Sequence, residues 1–253
     1  MYLTKLIKKI VRLFGFEIVR YRVDAPNLPD VPESVIDTYK KVRPYTMTSP
    51  ERIVSLCEAV KYIQDKNIDG DVVECGVWKG GSMMAVADTL LRMGDTNRDL
   101  YLFDTFEGMP PPTDSDVDIA GTSAENLLNS SNKDADESVW CRATLDVVKN
   151  ALGSIGYPGE KIHYIKGLVE DTIPQFVPSK IALLRLDTDW YESTKHEMEH
   201  LFPLLSKGGV LIIDDYGHWQ GARKAVDEYL EKNDVTILLN RIDYTGRIAV
   251  KVN

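Results

Sequence analysis

The sequence predicts one α/β domain built on a mostly parallel sheet, and three observations support this. A chain of 253 residues, 43% of them hydrophobic, is long enough for one sizeable core. From residue 71 onward, short β-rich runs alternate with helical segments, which is typical of βαβ units. The last two β-rich runs follow each other with no helix between them, so they form an antiparallel hairpin at one edge.

Charge and cysteine content exclude several classes of function. The chain carries 30 basic and 39 acidic residues, a formal charge of −9, so it lacks the basic surface that nucleic acid binding requires. Cys57, Cys75 and Cys141 match neither a disulfide framework nor a zinc motif, which indicates a reducing compartment. With no apolar run of about 20 residues and no signal peptide pattern, we expect a cytoplasmic protein.

The N-terminal region differs from the rest of the chain. Residues 3–14 have an apolar stripe at helical spacing opposite a basic face, so they predict an amphipathic helix. It packs on its own protein or a partner subunit, or it makes weak contact with a membrane surface. A proline-rich linker over 24–32 and a helix over 34–41 complete an accessory region of residues 1–48, and the main domain covers 49–253.

The main domain begins with a helix over 49–66, and its strands and helices then follow in alternation. The predicted strands are 71–77, 99–104, 161–167, 181–187, 208–215, 235–240 and 247–252. The helices between them cover 82–93, 192–205 and 222–231.

A glycine-rich turn follows the first strand, where ligands of open α/β sheets bind. Its sequence, Cys75 to Ser82, is neither the GxxxxGK[ST] phosphate loop nor GxGxxG. It resembles the E-x-G-x-x-x-G-G-S form of the loop that binds S-adenosylmethionine (SAM), with Glu74 available for the methionine amino group. The predicted contacts in the loop are Gly76, Val77, Gly80 and Ser82, although a purely structural turn is an alternative.

Further cofactor contacts are expected from the next two strands. Asp104 ends the second strand, where a carboxylate can accept hydrogen bonds from both ribose hydroxyls. Val169 and Glu170 follow the third strand at the expected adenine pocket, although Glu170 also fits a residue at a helix N-terminus.

Two neighbouring predicted strands end in pairs of aspartates: Asp187 with Asp189, and Asp214 with Asp215. Since parallel strands end at the same edge, all four carboxylates should converge beside the glycine loop. Four acids in one crevice repel each other unless a hard cation such as Mg²⁺ binds there. The alternative is that single aspartates cap the following helices.

The blocks VVECGVWKGGS, LYLFDTFEGMPPPTDSD, LRLDTDWYEST and GGVLIIDDYGHWQGARKAVDEY together resemble the macrocin O-methyltransferase (TylF) family, from about residue 39 to the C-terminus. The resemblance implies a SAM-dependent methyltransferase fold with a seven-stranded sheet, and Mg²⁺-dependent methylation of a sugar hydroxyl. It also implies that Asp187, Asp214 and Asp215 hold the metal and Asp189 is the general base. Trp190 stands where the related catechol enzymes have a catalytic lysine, which favours Asp189.

Residues 107–140 are too long and too polar for an ordinary connection, so we expect a lid or a partly disordered segment over the cofactor crevice. Asp114, Asp116, Asp118 and Glu125 have the spacing of an EF-hand loop. The sixth position, which requires glycine, is Ile119, so the spacing does not indicate a calcium site.

The acceptor is expected to be a small sugar or glycoside. Trp190, Tyr191, Tyr216 and His218 lie near the strand ends, where they could contact it, although the aromatic rings fit core packing equally well. Two alternatives stay open: a catechol or phenol acceptor, and a catalytically silent SAM-binding protein of polysaccharide assembly. We also expect a homodimer.

Overall fold

The structure is a computed structural model that describes residues 7, 11–15, 28–133, 135 and 138–252. Of the predicted amphipathic helix over 3–14, only residues 7 and 11–14 are among these, and the predicted linker over 24–32 is described from residue 28 onward. In the described part of the chain, no helix has the length and apolar character needed to span a membrane.

The described residues form a seven-stranded sheet. Its strands are β1 (Asp71–Cys75), β2 (Leu100–Asp104), β3 (Ile162–Lys166), β4 (Ile181–Leu186), β5 (Leu205–Ile213), β6 (Asn240–Arg241) and β7 (Arg247–Val250). The order across the sheet is β3-β2-β1-β4-β5-β7-β6. Strands β1 to β5 pair in parallel, and β7 pairs antiparallel with both β5 and β6. The predicted parallel sheet with a reversed C-terminal pair is confirmed.

Helices cover both faces of the sheet. They are α1 (Glu33–Val42), α2 (Pro50–Asp65), α3 (Gly81–Arg92), α4 (Ala124–Ser130), α5 (Leu145–Gly153), α6 (Val169–Thr172), α7 (Tyr191–Leu201) and α8 (Gln220–Lys232). One core cluster joins the sheet to α1, α2, α3 and α5, and a second joins it to α6, α7 and α8. The result is a three-layer arrangement with its open edge at the carboxyl ends of the parallel strands.

Local sequence explains where several elements begin and end. Helix α2 begins at Pro50, because the Ser49 hydroxyl accepts a hydrogen bond from the Arg52 N–H and proline suits the first helical position. Every residue of β4 is buried, as expected for a central parallel strand, and all of them are apolar except Arg185. Helix α7 ends at Leu201, before the predicted 205, because Pro203 lies in a 3₁₀ turn that leads into β5.

The predicted strand over 235–240 is largely wrong. Only Asn240 and Arg241 pair with β7, while residues 235–239 have no regular ladder. Their alternating apolar side chains, Val235, Ile237 and Leu239, instead pack against the second core cluster. Alternation predicted the buried face correctly but not the backbone pairing.

The polar insertion over 107–140 contributes to a small apolar cluster that it shares with residues outside it. Ala124 and Leu128 of α4 are buried in a cluster with Trp190 and Trp219, whose rings meet edge to face at 4.9 Å. Few apolar residues suffice here because the neighbouring helices supply the rest of the cluster. A lid function for this segment stays a prediction.

Candidate active site

A cavity of about 370 Å³ opens at the carboxyl ends of β1, β2, β4 and β5. This size and position are typical of small-molecule sites in open α/β sheets. Most of the residues predicted from the sequence line it: Gly76, Val77, Ser82, Asp104, Val169, Glu170, Asp187, Asp189, Asp214, Asp215 and His218. The predicted cofactor loop and the predicted metal cluster therefore share one cavity.

The glycine loop lies directly against the end of β4. Gly76 has a φ of +81°, and a Cβ at this position would lie 2.0 Å from the carbonyl oxygen of Asp187. Only glycine fits such an approach. The Asp104 carboxylate fixes the other side of the loop by accepting hydrogen bonds from the N–H groups of Val77 (2.7 Å) and Trp78 (3.1 Å).

Two predicted cofactor residues do not line the cavity. Glu74 is buried beneath the loop, where its Oε1 accepts a hydrogen bond from Arg185 Nη1 at 2.7 Å. Burial raises the pKa of Glu74 to about 7, although Arg185 opposes the shift. Gly80 precedes α3, and a Cβ there would lie 2.8 Å from Leu152 of α5, so its lack of a side chain serves packing.

The three predicted metal ligands come together as expected. One carboxylate oxygen from each of Asp187, Asp214 and Asp215 lies within 4.8 Å of the other two. An octahedral Mg²⁺ ion with ligands at about 2.1 Å separates its ligand oxygens by roughly 3–4 Å. Small side-chain adjustments would therefore place all three oxygens around one ion.

Two arginines hold this cluster. The buried Arg185 donates from Nη1 to Asp187 Oδ2 at 2.7 Å and from Nη2 to Asp214 Oδ1 at 2.6 Å. Arg52, at the start of α2, donates to the second oxygen of Asp214. Although burial opposes the charge of Arg185, the carboxylates of Asp187, Asp214 and Glu74 raise its pKa. The guanidinium groups therefore stay charged and fix the ligand carboxylates.

The acids still outnumber these cations, and their contacts require a proton or a metal ion. The Asp215 side chain lies at hydrogen-bond distance from the carboxylates of both Asp187 and Asp189. Its Oδ2 is buried without a hydrogen-bond partner among the described residues. Burial, together with repulsion from neighbouring aspartates, raises the pKa values of Asp187 and Asp215 well above the usual range. A divalent cation fits this excess of oxygen ligands and negative charge.

Asp189 lies beside the cluster in an unusual conformation. Its φ is +66°, the left-handed region that aspartate tolerates better than most residues do, and such strain is common at functional sites. Burial raises the pKa of Asp189 to about 7, and repulsion from Asp187 and Asp214 adds to the shift. A carboxylate with a pKa near neutrality suits proton transfer.

The predicted acceptor contacts divide into two groups. His218 lines the cavity, and its Nδ1 lies 2.5 Å from the hydroxyl of Tyr244, a cavity residue that the sequence did not indicate. Trp190, Tyr191 and Tyr216 do not line the cavity. Trp190 is buried in the small apolar cluster shared with the insertion, and the hydroxyls of the two tyrosines donate to Glu228 and Asp227 on α8.

Other cavity residues were missed because their sequence context is ordinary. The segment 45–48 covers the glycine loop so closely that a Cβ on Gly81 would lie 2.5 Å from the carbonyl oxygen of Tyr45. The sequence around Arg52 indicates an exposed residue of an amphipathic helix, and Cys141 lies in a polar stretch. Neither context indicates a binding site. Only the tertiary fold brings these residues to the strand ends.

Comparison with known proteins gives a consistent result. The family model described as Macrocin-O-methyltransferase (TylF) matches residues 36–250. The chain is 33% identical, over 80% of its length and 74% of the relative, to the 8-demethyl-8-(2,3-dimethoxy-alpha-L-rhamnosyl)-tetracenomycin-C 4'-O-methyltransferase of Streptomyces olivaceus. It is 31% identical, over 80% of its length and 76% of the relative, to the mycinamicin III 3''-O-methyltransferase of Micromonospora griseorubida.

Solved structures support the fold. The O-methyltransferase NovP superposes with a TM-score of 0.71 at 24% identity, covering 100% of this chain and 98% of the other. The calicheamicin methyltransferase CalS11 superposes with a TM-score of 0.59 at 19% identity, covering 93% and 98%. At these identities the likeness concerns the sheet and its flanking helices.

Proposed function

The chain belongs to the macrocin O-methyltransferase (TylF) family and is a SAM-dependent O-methyltransferase, and from that premise we propose that it methylates a deoxysugar hydroxyl held on a Mg²⁺ ion. The observation that carries the proposal is the convergence of Asp187, Asp214 and Asp215 in the cavity that also contains the glycine loop. The names of the two relatives above, a rhamnosyl-tetracenomycin and a mycinamicin methyltransferase, support a glycoside as the acceptor.

The cofactor would lie along the first and second strand ends. Gly76, Val77 and Ser82 offer backbone and hydroxyl groups in the cavity, and Asp104 offers a carboxylate at the predicted ribose position. Val169 and Glu170, after β3, would border the adenine. Glu74 would act indirectly, since it holds Arg185 beneath the loop.

Asp187, Asp214 and Asp215 would hold the metal ion, with Arg185 and Arg52 keeping their carboxylates in place. A bound Mg²⁺ supplies a lower pKa for the acceptor hydroxyl and a fixed position for its oxygen. The protein would hold the acceptor near His218 and Tyr244, at the end of the cavity beside the aspartates.

Asp189 would accept the hydroxyl proton. As the O–H bond breaks, the acceptor oxygen forms a bond to the methyl carbon, the bond from that carbon to sulfur breaks, and S-adenosylhomocysteine is the second product. The pKa of about 7 caused by burial suits Asp189 for this step at neutral pH. Trp190, which stands where the related catechol enzymes have a catalytic lysine, cannot serve as the base instead. Its ring is buried, and its Nε1 donates to the carbonyl oxygen of Pro110 at 3.0 Å.

The experiment is a turnover assay with labelled SAM against nucleotide deoxysugars, deoxysugar glycosides and catechols, in Mg²⁺ and in chelator. The proposal expects methylation of a deoxysugar that stops in chelator and returns with Mg²⁺. Faster turnover of a catechol, or turnover unaffected by chelator, would contradict it. We also expect a cytoplasmic location and a homodimer. Light scattering of the purified protein would test the dimer.

A further inference from the structure

The insertion over 107–140 places a buried carboxylate against the loop that carries Asp189. Asp116 has no exposed surface, although it lies in one of the most polar stretches of the chain. Its Oδ2 accepts hydrogen bonds from the N–H of Thr113 at 2.7 Å and from the Thr113 hydroxyl at 2.9 Å. These contacts fix the carboxylate within its own turn, so its orientation is defined.

The other oxygen of Asp116 binds the first residue of α7. Asp116 Oδ1 accepts a hydrogen bond from the Tyr191 N–H at 2.7 Å, across 75 residues of sequence. The residue that precedes α7, Trp190, gives no side-chain cap to this helix. A carboxylate at a helix N-terminus satisfies a free N–H and interacts favourably with the helix dipole. Asp116 therefore caps α7 from the insertion.

The capped N–H lies two residues after Asp189. The backbone between them is tightly turned, since Asp189 has a φ of +66° and the Trp190 N–H donates to the carbonyl oxygen of Thr188 at 2.7 Å. A left-handed aspartate holds its side-chain direction only if its flanking residues are fixed. Upstream the loop is fixed by β4, and downstream by Asp116.

Close packing leaves Asp116 little freedom to move. A Cβ on Gly221 of α8 would lie 2.4 Å from Asp116 Oδ1. The same segment also binds the start of α8, because the Gln220 N–H donates to the carbonyl oxygen of Val117 at 2.9 Å. The insertion thus contacts the first residues of both helices that follow the two aspartate pairs.

We propose that Asp116 is a positioning residue for methyl transfer: through the first N–H of α7 it holds Asp189 in the orientation needed to accept the acceptor proton. This inference rests on the proposed role of Asp189. It gives the insertion a role distinct from the predicted lid, namely alignment of the proton-accepting loop.

The test is a double-mutant cycle on kcat in the full chain with SAM, Mg²⁺ and a methylated acceptor. Asp116→Asn should lower kcat by about 10- to 100-fold, since an amide cannot accept all three hydrogen bonds and a displacement of about 1 Å at a reacting group is costly. KM for SAM should change less than about twofold. In the Asp189→Asn background the same change should have no further effect on kcat, because the group it positions is already lost.

The matched control is Asp118→Asn in the same insertion. The Asp118 carboxylate accepts hydrogen bonds from the N–H groups of Ala120 and Thr122 within its own turn, so kcat should stay within about twofold of wild type. If Asp116→Asn does not fold, Thr113→Val removes one hydrogen bond to Asp116 and should lower kcat by about threefold, again only when Asp189 is present.

The outcomes separate this proposal from the one it rests on. Wild-type kcat in Asp189→Asn would overturn the assignment of the base and this inference with it. Impaired Asp189→Asn beside wild-type kcat in Asp116→Asn and Thr113→Val would overturn the inference alone. Equal losses from Asp116→Asn in both backgrounds would show a general structural effect and would also overturn it.

Discussion

Replacing Gly76 by alanine should damage the cofactor loop and the metal cluster together. The new Cβ would lie 2.0 Å from the carbonyl oxygen of Asp187, whereas carbon and oxygen atoms normally approach to roughly 3.3 Å. The glycine loop or the end of β4 must therefore move by about 1 Å. Either movement displaces a group that the proposed reaction requires.

The expected loss of stability follows from two contributions. A left-handed alanine costs about 1–2 kcal/mol, and overpacking of this kind costs about 1–3 kcal/mol more, so the free energy of unfolding should fall by about 2–5 kcal/mol. The matched control is Gly156→Ala, which has the same φ of +81° but no described atom within 4 Å of the added Cβ. It should lose only the first contribution, about 1–2 kcal/mol.

Urea unfolding gives the two free energies, and calorimetry gives the affinities for SAM and for Mg²⁺. Gly76→Ala should weaken both affinities by at least about tenfold, because the Asp187 backbone and the loop share one contact. Gly156→Ala should bind both normally. Equal stability losses in the two variants, with normal binding by Gly76→Ala, would refute the claim that this contact joins the two sites.

Three further predictions concern a metal ligand, the binding of SAM without metal, and the pH dependence of stability. Asp214→Asn should weaken Mg²⁺ affinity, so that part of the lost activity returns at high Mg²⁺; failure of any Mg²⁺ concentration to restore activity would argue against its role as a ligand. SAM should bind in chelator with nearly unchanged affinity, because Gly76, Ser82 and Asp104 are not metal ligands and the contact of Gly76 with Asp187 is to its backbone carbonyl rather than to its carboxylate. Calorimetry that shows no binding in chelator would contradict this. Although burial opposes ionisation, hydrogen bonds from His163 and Lys161 hold the pKa of Asp99 below its usual value, so it stabilises the fold above about pH 4 and loses that effect as pH falls through the lowered pKa. Asp99→Asn should therefore cost about 0.5 kcal/mol at pH 7 and nothing near pH 2, and a pH-independent cost in urea unfolding would count against the assignment.

Much of the site could be predicted from the sequence because its residues follow strand ends. Asp104, the pair Asp187 and Asp189, and the pair Asp214 and Asp215 each end or follow a β-rich run, and parallel strands bring their ends together. The position of Gly76 after the first strand was likewise sufficient to place it in the cavity. For these residues, the strand pattern in the sequence and the parallel order of the strands were enough to predict where the side chains lie.

The remaining contacts depend on register and long-range packing, which a local pattern does not contain. Glu74 was predicted to contact the cofactor, but β1 and β4 pair so that it lies opposite Arg185, which binds its carboxylate. The insertion was expected to be a lid or partly disordered, and its acids had only the spacing of an EF-hand loop, yet Asp116 is buried against α7. Trp190 and Tyr191 were close to the site in sequence, but the turn at Asp189 directs them away from the cavity.

The central claim is that Asp189 accepts the proton of an acceptor hydroxyl beside a metal ion held by the other three aspartates. The most direct test is the single-turnover rate of methyl transfer from labelled SAM to the deoxysugar acceptor by Asp189→Asn at saturating Mg²⁺. The rate should fall by about 10²- to 10⁴-fold while the affinities for SAM and Mg²⁺ stay within about twofold of wild type, and added metal should not restore it. An unchanged rate would contradict the claim, and a loss that high Mg²⁺ reverses would contradict it by assigning Asp189 to the metal instead.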